Sequence, residues 1–204
     1  DSIIHLHATT FIVGSKDNQA CGLTDLCQDI GFRTVLSYKN LAMAEYQTKK
    51  TPICFFLFAL DCAEQNIPVI ARALRSSRNR QIKYAPLIGF AEVANPKMIN
   101  FCLHLGFDDI LLPPFSRKII NSRLKKHLNR NITFFETNEY FGPDRRTDFH
   151  ENALAKPHPK RGEGGDHRKI VIRRNLETGV SILRDRFHRK SSDKVQEMGR
   201  SIAI

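Results

Sequence analysis

No run of this 204-residue chain comes near the roughly 20 uninterrupted apolar residues that a bilayer-spanning helix requires. No membrane span is expected, and no secretory leader is visible. The chain starts at Asp1 rather than at methionine, which leaves an upstream piece open. Five cysteines (Cys21, Cys27, Cys54, Cys62 and Cys102) form an odd set without a Cys-x-x-Cys pair, so neither a metal ribbon nor a disulfide framework is expected. Most of them sit in or beside apolar stretches and read as small buried hydrophobes in a reducing cytoplasm. There is no Walker-type glycine loop, no Gly-x-Ser-x-Gly and no His-Glu-x-x-His, which removes three common catalytic frames. His5 and His7 alternate as zinc ligands would, but no further ligands accompany them, and neither a metal nor a cofactor is expected.

What is present is positive charge and a regular alternation of apolar segments. The formal net charge of +11 invites anionic partners such as nucleic acid, an acidic protein face or an anionic membrane surface. Hydrophobic content of 41% fits a soluble globular chain, and the length allows one domain with an extension. Thr10-Phe11-Ile12-Val13, Ile53-Cys54-Phe55-Phe56-Leu57-Phe58-Ala59-Leu60 and Ala85-Pro86-Leu87-Ile88-Gly89-Phe90-Ala91 are too short and too continuous to be amphipathic helices, and they read as buried strands. Arg33-Thr34-Val35-Leu36-Ser37-Tyr38 adds a further strand. Helical patterns lie between them, with Gly31 and Gly106 as stops, Asn95-Pro96 as a start and Ser116 as a cap for a helix over 117–129.

Gly106-Phe107-Asp108-Asp109-Ile110-Leu111-Leu112-Pro113-Pro114-Phe115-Ser116 gives the alternation a more specific meaning. The stretch resembles the closing strand and turn of the bacterial response-regulator receiver family, commonly Gly-x-Asp-Asp-x-Leu-x-Lys-Pro-Phe. Gly106, Asp108, Asp109, Leu111, Pro114 and Phe115 match, and Pro113 stands where that family has its lysine. The resemblance implies a doubly wound α/β domain over residues 1–131, with a five-stranded parallel sheet in the order 2-1-3-4-5 and helices on both faces.

The same resemblance implies where a phosphate switch would sit. Receivers hold a divalent cation on an acidic pair after the first strand and accept a phosphoryl group on an aspartate ending the third. A hydroxyl after the fourth and the lysine after the fifth complete the site. Those positions fall here on Gly14 and Ser15, Phe58, Ala91 and Pro113, none of which supplies the needed group. Asp61, three residues beyond Phe58, is the alternative acceptor, with Asp17 as a displaced cation ligand and Lys16 as an anion contact.

The expected function is therefore a non-catalytic pseudo-receiver of two-component type, cytoplasmic, docking a signalling partner without aspartyl phosphorylation. Family members bind partners and dimerise largely through their last helices and strand, here residues 95–130, so Arg117, Lys118, Arg123, Lys125 and Lys126 are the expected contacts for a partner with an acidic face or for a second copy. Residues 132–204 are expected to form a basic, largely irregular extension without a second core. Within it, residues 132–136 read as a short packed extension, residues 169–173 as an isolated strand and residues 180–189 as a helix face. A second reading has this extension contact nucleic acid, chiefly phosphates, through Arg145, Arg146, Arg173 and Arg174.

Overall fold

Apolar runs covered on both sides must alternate their side chains between two cores, and the third strand does so. In the computed structural model, which describes residues 7–14, 19–61, 66–144 and 166–189, Ile53, Phe55 and Leu57 enter one buried cluster and Cys54, Phe56 and Phe58 the other. The strands are β1 (Ala8–Val13), β2 (Thr34–Ser37), β3 (Ile53–Ala59), β4 (Leu87–Phe90) and β5 (Asp109–Leu111), all parallel, in the order β2-β1-β3-β4-β5. Helices α1 (Gln19–Ile30) and α6 (Arg117–Lys125) cover the first face through Leu23, Cys27, Ile30, Ile120 and Leu124. The opposite face is covered by α2 (Leu41–Gln47), α3 (Ile67–Arg75), the short α4 (Arg80–Lys83) and α5 (Pro96–His104), through Ala44, Ala71, Leu74, Ile82 and Cys102. The five parallel strands and their order agree with the sequence expectation; α4 was not foreseen, its four residues being too few to show a period.

Local signals set the helix ends. Gly31 and Gly106 adopt positive φ (107° and 80°), and the amides of Phe32 and Phe107 close back onto the carbonyls of Cys27 and Cys102. Gly106 is required for a second reason: a Cβ there would meet the Phe141 carbonyl oxygen at 2.3 Å. At the start of α5 the Asn95 side chain accepts from the amides of Lys97 (3.0 Å) and Met98 (3.3 Å). Asn95→Ala is expected to cost about 1 kcal/mol, read as a lower urea midpoint with unchanged slope.

Residues 131–144 and 166–189 correct the expectation of an irregular extension. They form β6 (Asn131–Glu136), β7 (Phe141–Pro143), β8 (His167–Asn175) and β9 (Gly179–His188), an antiparallel sheet in the order β7-β6-β8-β9. The segment read as an isolated strand is β8, paired on both sides, and the segment read as a helix face is β9. Val180, Leu183 and Phe187 do fall at helical spacing, but cross-strand pairing decided the outcome. The inward rows of β6 and β8 set apolar residues against each other, Ile132 opposite Ile172 and Phe134 opposite Ile170. No separate core results. Ile132, Phe134, Ile170, Ile172, Leu176 and Val180 join the cluster of Ala8, Ile30, Phe32, Ile53 and Tyr84, at the amino-terminal edge of the parallel sheet. Gly179, at φ 79°, turns β8 into β9 so close to this edge that a Cβ would lie 3.0 Å from the Pro52 carbonyl oxygen.

Cys27, Cys54 and Cys102 are buried, as the sequence suggests. Burial pushes the Cys27 thiol up to about 12, which makes it inert as a nucleophile. Among the described residues no helix is long and apolar enough to cross a membrane.

Candidate functional site

In a sheet of this order, ligands ordinarily bind beyond the carboxyl ends of the strands. Parallel pairing brings Val13 beside Phe58 and Phe58 beside Gly89. Gly14, Phe58 and Ala91 therefore meet at one edge, with Pro113 following β5. Phe58 is fully buried, its ring 4.7 Å from that of Phe107. Gly14 is buried where a Cβ would lie 2.8 Å from the Ala59 Cβ, leaving no room for a carboxylate. Ala91 is buried with its amide on the Leu111 carbonyl at 3.1 Å, and Pro113 is exposed, joined to Pro114 by a cis peptide. Asp61 lies just past β3 and is exposed, one carboxylate oxygen accepting from the Glu92 amide at 2.6 Å. Ser15, Lys16 and Asp17 fall outside the described residues. No group of three or more metal-ligating side chains occurs among the described residues.

The opposite edge holds a charged cluster that sequence reasoning missed. Asp108, just before β5, is 2% exposed and lies between two buried guanidinium groups. Arg75, ending α3, donates to Asp108 Oδ2 at 2.7 Å, to the Gly106 carbonyl, and to the carbonyls of Lys83 and Ala85 at 2.8 Å. Arg174, in β8, donates to Asp108 Oδ1 at 2.6 Å and to the Tyr84 carbonyl at 2.7 Å. The Leu87 amide also donates to Asp108. The ring of Phe134 lies beneath both cations, 5.4 Å from Arg75 and 5.7 Å from Arg174. Burial would push the Asp108 carboxyl up, but the Arg174 and Arg75 charges outweigh it and hold the group at about 2. Burial lowers the Arg75 pKa, and Asp108 opposes that fall.

Asp109 turns the other way. Arg123 grips it with two donors and His127 lies at ion-pair distance, 3.6 Å. Burial pushes this carboxyl up as well, and His127 and Arg123 together bring it below its ordinary range. The two acidic residues of the closing motif thus serve as structural ties at the amino edge and contribute nothing at the carboxyl edge.

This geometry divides the sequence-predicted contacts. Arg117, Lys118, Lys125 and Lys126 are exposed on and just after α6, beside an exposed Ile119, whereas Arg123 is committed to Asp109. Arg173 is exposed and bonded to the Asn131 side chain. Arg174 corrects the nucleic-acid reading: it is fully buried against Asp108 and cannot reach a phosphate. Arg145 and Arg146 lie outside the described residues. The alternation Ile170, Ile172, Arg174 on one row of β8 was the available signal that this arginine points inward and needs an acid.

A cleft of about 830 Å³ opens where the ends of α3 and α5 face the β6–β7 hairpin. Arg72, Lys83 and His104 on its wall face Glu136 and Glu139, a mixed lining that selects no one class of ligand.

Strand order and side-chain placement define a doubly wound α/β domain of the flavodoxin and receiver type, with an antiparallel sheet fastened to its amino edge. No family model and no curated protein matches the chain. Solved structures similar to it include the receiver domain of a sensor histidine kinase from Pseudomonas aeruginosa PAO1, at 17% identity and a TM-score of 0.46, covering 58% of this chain and 94% of that one. A putative response regulator from Chloroflexus aurantiacus is 18% identical with a TM-score of 0.46, covering 59% and 95%. A chemotaxis response regulator of Vibrio cholerae is 16% identical with a TM-score of 0.44, covering 59% and 98%. Likeness at this level adds nothing to the fold that the strand order does not already define.

Proposed function

We propose that this chain is a receiver-like signalling module of two-component type that docks a protein partner without aspartyl phosphorylation. One observation carries the reading: the acceptor position at the end of β3 is Phe58, sealed against Phe107. Gly14, Ala91 and Pro113 around it offer neither a side-chain oxygen for a cation nor an ammonium for a phosphoryl group. The docking face is α6 and its end, where Arg117, Lys118, Lys125 and Lys126 are exposed together with Ile119, suited to an acidic partner.

Asp61 supports a second reading, since its carboxylate is exposed at the carboxyl edge. Incubation of the full chain with acetyl phosphate and magnesium decides between them by intact mass. The docking reading expects no mass gain. A gain of one phosphoryl group that disappears in Asp61→Ala would establish the second reading.

A further inference from the structure

We infer that the outer edge of β9 receives an extended acidic segment of a partner protein as one more antiparallel strand. Among the described residues nothing pairs with that edge, and every residue from Ser181 to His188 is exposed. Long open edges carrying apolar side chains are ordinarily shortened, covered or charged. Here Ile182 is 43% exposed and Phe187 59% exposed, so the edge is neither short nor wholly charged.

Register fixes what each row offers. Ile182, Asp185 and Phe187 stand opposite Ile172, Ile170 and Arg168, which places them on the row that continues the core. Arg168 already neutralises Asp185, at 2.7 and 2.5 Å. Arg184, Arg186 and His188 stand opposite Val171, Lys169 and His167 on the outer row. The other outer-row residues of β6, β8 and β9 include Arg173 but no carboxylate. The pairing shift at Leu183 interrupts the ladder, so the continuous segment on offer is 184–188. A strand that fits it sets acidic residues against Arg184 and Arg186 and an apolar residue beside Phe187.

A second copy fits poorly. Two-fold antiparallel pairing centred on Arg184, Asp185 or Arg186 sets that residue directly against its own copy, and like charges opposite one another destabilise a sheet. A nucleic acid could use the outer cations, but it leaves the edge amides and carbonyls, and the apolar row, unmatched. The inference stands apart from the docking face on α6 and from the state of Asp61.

The test titrates the full chain with a soluble peptide of about eight residues alternating glutamate and valine, long enough for the exposed run. A lysine–valine peptide and a single-stranded oligothymidine serve as the other arms. Binding of the acidic peptide alone is expected, with slowed amide exchange confined to β9. In the variant Arg184→Glu/Arg186→Glu, affinity for the acidic peptide should fall about tenfold or more and the lysine peptide should bind instead. That exchange of preference cannot come from misfolding. Absence of acidic-peptide binding, equal binding of both peptides, protection of α6 instead of β9, or tighter binding of the oligothymidine would each overturn the inference. So would a dimer in sedimentation that the double variant abolishes.

Discussion

Asp108→Ala is expected to lower folding stability by about 3–5 kcal/mol, among the largest effects a single substitution in this chain can have. The carboxylate is the counter-charge for two guanidinium groups, Arg75 and Arg174, whose side chains are 4% and 0% exposed. Removing it strands both guanidinium groups in the interior without their counter-charge. Urea unfolding of the purified variant measures the loss, and a fall below about 1 kcal/mol would show that solvent reaches the cluster. Replacing all three residues together with apolar ones of similar volume should restore much of the loss, because the desolvation cost goes with the charges. The sign of the pH dependence follows from Asp108 being held at about 2, below its ordinary 3.8. The carboxylate's contribution, on the order of 2 kcal/mol, is complete above the unfolded value near 4. It is lost as pH falls from there through 2, a window in which Asp108→Asn should show a flatter stability profile than the parent.

A fragment ending at Asn131 is expected not to fold, although it contains all five parallel strands. It lacks Ile132, Phe134, Ile170, Ile172, Leu176 and Val180, each at most 8% exposed in the whole chain. At about 1.5–3 kcal/mol for each buried side chain, their gross contribution is about 9–18 kcal/mol, at least comparable to the whole net stability of a typical domain. The truncation also bares Ile30, Phe32, Ile53 and Tyr84 along one edge, and it takes Arg174 away from Asp108. Circular dichroism and dye binding test this. A cooperative unfolding transition in the fragment, with no dye-binding apolar surface, would refute the dependence.

Three strands of the parallel sheet, β1, β3 and β4, were legible because they are covered on both faces. Such strands appear as continuous apolar runs, and Gly31, Asn95, Gly106 and Ser116 mark the helix ends between them. Which residue closes each strand was readable as well, Phe58 near the end of β3 among them. The antiparallel sheet was not. Its strands are half polar, β6 pairs with β8 across a long stretch of intervening chain, and β9 carries three apolar residues that fall at helical spacing. Asp108 and Asp109 show a different limit: their spacing was readable as a family motif, but their partners Arg75, Arg174 and Arg123 come from other elements and have no adjacent signature.

Arg174 reaches Asp108 across 66 residues of sequence. During synthesis the ribosome must therefore release the chain through β8 before the carboxylate gains its second counter-ion. Until then Arg75 holds it alone, and the apolar rim above it stays wet. The parallel sheet is accordingly completed only after β8 has emerged, and until then its exposed apolar edge is a natural target for chaperones.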